Sequence, residues 1–107
     1  MINGQYRQGD VLIVPSRRDL SGAKNAARED GRKVLADGEL TGHAHVANDN
    51  AQLVEIDGTL YLVVDEPGTT ITHEEHPTIE VPAGEYRVQR QRQYNPESVR
   101  EWDWVAD

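Results

Sequence analysis

Apolar residues in this chain come in short β-branched or alternating runs broken by Gly, Pro and Asp, a pattern that predicts strands rather than helices. Val11-Leu12-Ile13-Val14, opened by Gly9-Asp10 and closed by Pro15, reads as a buried strand. Residues 16–32 are polar, charged and weakly periodic, so they read as a long surface loop, a feature that in compact domains tends to be functional or mobile. Residues 33–36, the turn pair Asp37-Gly38 and residues 39–41 have the grammar of a hairpin. Residues 52–56, Asp57-Gly58 and residues 59–64 repeat that grammar with longer apolar flanks, and give the clearest hairpin signal in the chain.

Glu66-Pro67-Gly68 is a turn by composition, and Thr69-Thr70-Ile71-Thr72 favours extended structure after it. Residues 79–81 alternate, Pro82-Ala83-Gly84 turns, and residues 85–94 alternate again, with Tyr86, Val88, Arg90, Arg92 and Tyr94 sharing one face. Asn95-Pro96-Glu97-Ser98 suits a type I turn returning the chain as a last strand, 99–105, whose Trp102 and Trp104 would cover one face. The alternative is a short helix capped by Asn95 with Pro96 in its first position. Many short strands with no amphipathic helix predict an all-β fold: a single domain over residues 1–107, built as a small antiparallel β-barrel or sandwich with one long surface loop.

Composition sharpens this picture. With 107 residues, 36% hydrophobic and no Phe, the core has to be thin and assembled from Val, Leu and Ile. The chain has no Cys, which removes disulfides, thiolate metal sites and cysteine nucleophiles. A formal charge of −8 opposes general electrostatic binding of nucleic acid. No apolar run approaches a membrane span and the N-terminus has no signal-like stretch, so the expected location is the cytoplasm.

Histidine supplies the candidate chemistry. All four His residues fall in two tight pairs, His43/His45 and His73/His76. On a strand the i, i+2 spacing of His43 and His45 points both imidazoles to one side, with α-carbons roughly 6–7 Å apart, and Gly42 before them lets the backbone bend. The i, i+3 spacing of His73 and His76 converges only on a helical turn, which Thr72 and Glu75 would support as a capping box and Pro77 would end. If the fold brings the pairs together, three or four imidazole nitrogens could surround one divalent cation, with Glu74 or Glu75 as oxygen ligand or general base. Zn, Fe(II), Mn, Ni and Cu(II) all suit nitrogen and carboxylate donors. The bland alternative is that both pairs are solvated or hydrogen-bonded structural residues.

The string Gly38-Glu39-Leu40-Thr41-Gly42-His43-Ala44-His45 resembles the first motif of cupins, and Pro82-Ala83-Gly84 resembles the turn of their second. That resemblance implies a small antiparallel barrel with a metal held in its mouth by His43 and His45. The Glu expected shortly after the histidine pair is absent, and no His follows the turn. Over most of its length the chain is similar to a family of small uncharacterised bacterial proteins that share Tyr6-Arg7-Gln8-Gly9-Asp10-Val11-Leu12, Thr41-Gly42-His43-Ala44-His45, Thr72-His73-Glu74-Glu75-His76 and Pro82-Ala83-Gly84-Glu85-Tyr86-Arg87-Val88. This second resemblance implies no particular activity.

Arg87, Arg90 and Arg92, set among glutamines and between Tyr86 and Tyr94, could grip phosphate and stack on bases. The competing reading is an edge strand whose charges block pairing with other chains, and Arg90 and Arg92 could instead pair with acids inside the fold. Trp102 and Trp104 would cap the core or form a homodimer interface. The expected function is therefore a metal-binding protein holding one divalent ion through the two histidine pairs, with room for metal-dependent catalysis on a small-molecule substrate. Its alternatives are a non-catalytic module contacting protein or RNA through the 16–32 loop or the arginine strand, and a metal-free nuclease using His as acid and base.

Overall fold

The computed structural model describes residues 4–37 and 42–90 with their side chains, and residues 92–94 and 104–106 as backbone. Its elements are strands: β1 (Tyr6–Gln8), β2 (Val11–Pro15), β3 (Lys24–Asn25), β4 (Lys33–Asp37), β5 (Ala44–Ala47), β6 (Ala51–Ile56), β7 (Thr59–Val64), β8 (Thr69–Thr72), β9 (Ile79–Val81), β10 (Gly84–Arg90), β11 (Arg92–Tyr94) and β12 (Trp104–Ala106). They form a six-stranded sheet ordered β1-β2-β10-β7-β6-β3, a four-stranded sheet ordered β4-β5-β8-β9, and the pair β11-β12. Every pairing is antiparallel. The all-β expectation holds. Of its two forms the sandwich fits, since the described strands make two open sheets rather than a closed barrel.

The core lies between the sheets and follows the period-2 pattern. Leu53 pairs with Leu62, and Leu62 with Tyr86, so the inward residues of β6, β7 and β10 form one row across the larger sheet. Val11 and Ile13 extend it on β2, and Leu35, Ala47, Ile71 and Val81 face it from the smaller sheet. In the absence of Phe the largest fully buried side chains are Ile13, Leu53, Leu62 and Ile71, together with Val11 and Val81. Tyr86 adds an aromatic body, directs its hydroxyl to the Pro82 carbonyl at 2.7 Å, and meets the Tyr6 ring edge-on.

The β6–β7 hairpin forms as its sequence predicts, with Asp57 and Gly58 at φ of 54° and 80°. Positive φ at both central residues is what a two-residue turn needs to match strand twist. A Cβ on Gly58 would meet no atom within 4 Å, so Gly58→Ala carries only the left-handed backbone penalty. The expected loss is about 1–2 kcal/mol, measurable by urea denaturation; an unchanged midpoint would remove this account of the turn.

Several expectations are revised. The loop at 16–32 contains β3, which pairs Lys24 with Glu55 and Asn25 with Val54. Side chains of Asp19, Asn25 and Asp30 accept from backbone N–H groups two residues on and give the loop a succession of local turns. β4 pairs with β5, and the expected partner 39–41 lies outside the described residues, as do 95–103 with Trp102. The run 85–94 is divided into β10 and β11. Nor is β10 an edge strand: β2 and β7 flank it, so its exposed Arg87 and Arg90 cannot act by blocking an edge. The earlier segment Tyr6–Gln8, too short to stand out in the sequence, forms β1 because β2 is there to pair with it.

Candidate metal centre

At one end of the sandwich, residues from both sheets converge on His45. This residue belongs to β5, two positions before the core residue Ala47, so the alternation turns it inward. Opposite it β4 carries a bulge between Val34 and Ala36, with Ala36 paired to His45. The extra residue, Leu35, enters the core.

The four histidines meet. The His45 ring lies 4.2 Å from His73 and 5.8 Å from His76 between centroids, His73 lies 4.6 Å from His76, and His43 lies 5.7 Å from His73. The expected helical turn at 73–76 is absent. The segment is a bend, and the Glu75 N–H donates to His73 Nδ1 at 2.9 Å where a capping box would have used Thr72. The bend nevertheless brings His73 and His76 together. It works because Gly9 has no Cβ: one built there would lie 2.6 Å from His76 Nε2. Gly9 also has φ of 59°, so it supplies both the turn between β1 and β2 and the space for the imidazole.

Glu74 is anchored across the gap, its Oε1 accepting from the Ala44 N–H at 2.9 Å. That bond is the main reason its carboxyl is held below the ordinary glutamate value. His43, His73 and Glu74 offer one ligand atom each within 4.8 Å of one another. Glu75 stands with Oε2 at 3.5 Å from His43 Nδ1. The two glutamates singled out in the sequence therefore both border the histidines.

Behind this exposed group lies a buried one that sequence reasoning missed. Gln8 at the end of β1 donates Nε2 to the carbonyls of Ile71 at 2.8 Å and Pro77 at 2.9 Å, stitching the larger sheet to β8 and the bend after it. Its Oε1 lies 2.8 Å from His45 Nδ1. Asp10 places Oδ1 at 3.4 Å from His45 Nε2, and its Oδ2 accepts from Arg90 Nε at 2.8 Å. Side chains of His45 and Asp10 are each only 5% exposed. Burial first, then the neighbouring His73, pushes the His45 imidazole below the ordinary histidine value, with Asp10 opposing them.

Arg90 also donates to the Asp37 carbonyl at 3.2 Å, while Arg87 is exposed and donates to Gln89 Oε1 at 3.1 Å. The two thus serve different surroundings, and the Arg92 side chain lies outside the described residues.

No helix among the described residues is long and apolar enough to cross a membrane. No curated protein and no solved structure matches the chain. The profile of one family, described as a domain of unknown function, DUF8820, matches residues 7–91. That span starts one residue before Gln8 and ends one after Arg90, so it encloses every side chain of the converging group, and the chain belongs to this family.

Proposed function

We propose that this protein binds one divalent metal ion through His45 together with His43, His73 and His76. The observation that carries the reading is the convergence of all the histidines of a 107-residue chain, distributed over two distant segments, into one group of touching rings. Four imidazoles packed without a cation would gather rings of similar polarity at the end of a thin core, whereas an ion would join them. Gln8 supports the reading further, because a metal-binding histidine usually donates its second ring nitrogen to a fixed acceptor. Gly42-His43-Ala44-His45, the string that resembles the first cupin motif, contributes two of the four rings. Nitrogen donors with nearby carboxylates suit Zn, Fe(II), Mn or Ni.

Elemental analysis of untagged protein is expected to find roughly one divalent ion per chain, and chelation to lower the melting temperature because the unfolded chain has no preformed site. His43→Ala/His45→Ala and the more exposed His73→Ala/His76→Ala are expected to lose the ion. A wild type carrying no more metal than these variants, with a melting temperature indifferent to chelator, would overturn the proposal.

A further inference from the structure

We infer that Asp10 is a direct ligand of this ion, chelating it through Oδ1 together with His45 Nε2, and that Gln8 is the positioning residue that aims the His45 lone pair at it. The inference rests on the metal-binding reading above and extends it to three residues, Gln8, Gly9 and Asp10, that stand side by side at the turn between β1 and β2.

Hydrogen-bond bookkeeping decides the orientation. Both Gln8 donor bonds go to main-chain carbonyls, which can only accept, so the amide nitrogen is fixed on that side and Oε1 must face His45. An amide oxygen only accepts, so His45 Nδ1 carries the hydrogen. That leaves Nε2 as the ring nitrogen through which His45 would reach an ion, and what it faces is Asp10 Oδ1. Both side chains are almost completely enclosed there.

The spacing identifies what belongs between them. A charge-assisted N–H···O bond would draw the atoms to about 2.7–2.9 Å, yet they stand 3.4 Å apart. Two ligands about 2.0–2.1 Å from one tetrahedral metal are separated by roughly 3.3–3.4 Å. The pair thus has the bite of a chelate. Asp10 is also held as a ligating carboxylate is usually held, with its other oxygen bonded to Arg90 and Oδ1 left to the ion. His76 Nε2 lies against Gly9, the residue before Asp10. His73, by contrast, has Nδ1 occupied by the Glu75 N–H, which fixes the hydrogen of its neutral form on Nε2. It must exchange that bond before it can join. The resulting set of imidazoles with one carboxylate is a borderline donor set for Zn(II) or Co(II).

The test titrates untagged wild type and Asp10→Asn with Zn(II) by calorimetry and with Co(II) by visible absorption, after circular dichroism has established the fold. Asn retains an oxygen for Arg90 and nearly the shape of Asp but withdraws the anionic donor. The expected loss of affinity exceeds the roughly 10–100-fold produced by removing an outer hydrogen-bond partner, and the Co(II) bands shift in the variant. If Asp10→Asn does not fold, Asp10→Glu, which keeps the anionic donor but displaces it by one methylene, takes its place, with weakened Zn(II) binding and shifted Co(II) bands expected. Wild-type affinity and an unshifted Co(II) spectrum in the folded variant would overturn the role of Asp10 while leaving the histidine site standing. Absence of binding in the wild type would overturn both.

Discussion

Gln8→Leu is expected to cost about 2–5 kcal/mol of folding stability, because loss of one partner leaves each buried polar group unpaired at about 1–3 kcal/mol. The side chain is 3% exposed, and its three bonds reach residues 37, 63 and 69 positions away. Leucine fills the volume but strands the His45 Nδ1–H and one lone pair of the Ile71 carbonyl, while the Pro77 carbonyl, at an exposed position, recovers water. Guanidinium denaturation at neutral pH gives the measurement. A loss under about 0.5 kcal/mol would mean that water replaces the amide and that the stitch between the sheets is of little consequence. In any variant that remains folded, zinc affinity is expected to fall roughly 10–100-fold, the usual effect of removing the hydrogen-bond partner of a ligating imidazole.

Leu62→Ala separates stability from the site. Leu62 is fully buried on β7 in the middle of the row formed with Leu53 and Tyr86, and the chain has no Phe with which to close a cavity there. The expected loss is about 2–5 kcal/mol, with the melting temperature falling roughly 4–8 °C for each kcal/mol. Because a domain of this length holds only about 5–15 kcal/mol in total, the variant should sit near the edge of folding. Zinc at 100 times its dissociation constant should restore about 2.7 kcal/mol, and folded Leu62→Ala should bind zinc as the wild type does. A weakened affinity in that variant would show that core packing and ligand placement are not independent.

The strands legible in the sequence were those whose own residues decide them. Val11–Pro15 carries a buried, β-branched run, and Ala51–Ile56 and Thr59–Val64 flank an Asp-Gly turn whose backbone only a few residue types accept. β1 and β3 are three and two residues long and exist because β2 and β6 offer them a partner, information that no local pattern contains. The neighbours of β10 are hidden for the same reason: its alternation announces a strand but not what flanks it. Histidine was conspicuous because the residues are few and paired. Asp10 and Gln8 were not, since Gly-Asp before an apolar run serves equally well as an ordinary strand opening, and their partners lie far along the chain. The one signal in the sequence itself was Gln8-Gly9-Asp10, a glycine between two polar residues directly before a buried strand.

The position of β10 between β2 and β7 bears on how the chain acquires this structure during synthesis. A nascent chain that has emerged only as far as residue 83 contains every strand of the smaller sheet and both strands of the β6–β7 hairpin, but lacks the strand that pairs with both β2 and β7. Asp10 at that stage lacks Arg90, 80 residues away. Closure of such long loops sets a slow folding step, so the last strand to leave the ribosome among β1 to β10 is the one that joins β2 to β7 and fixes the buried carboxylate.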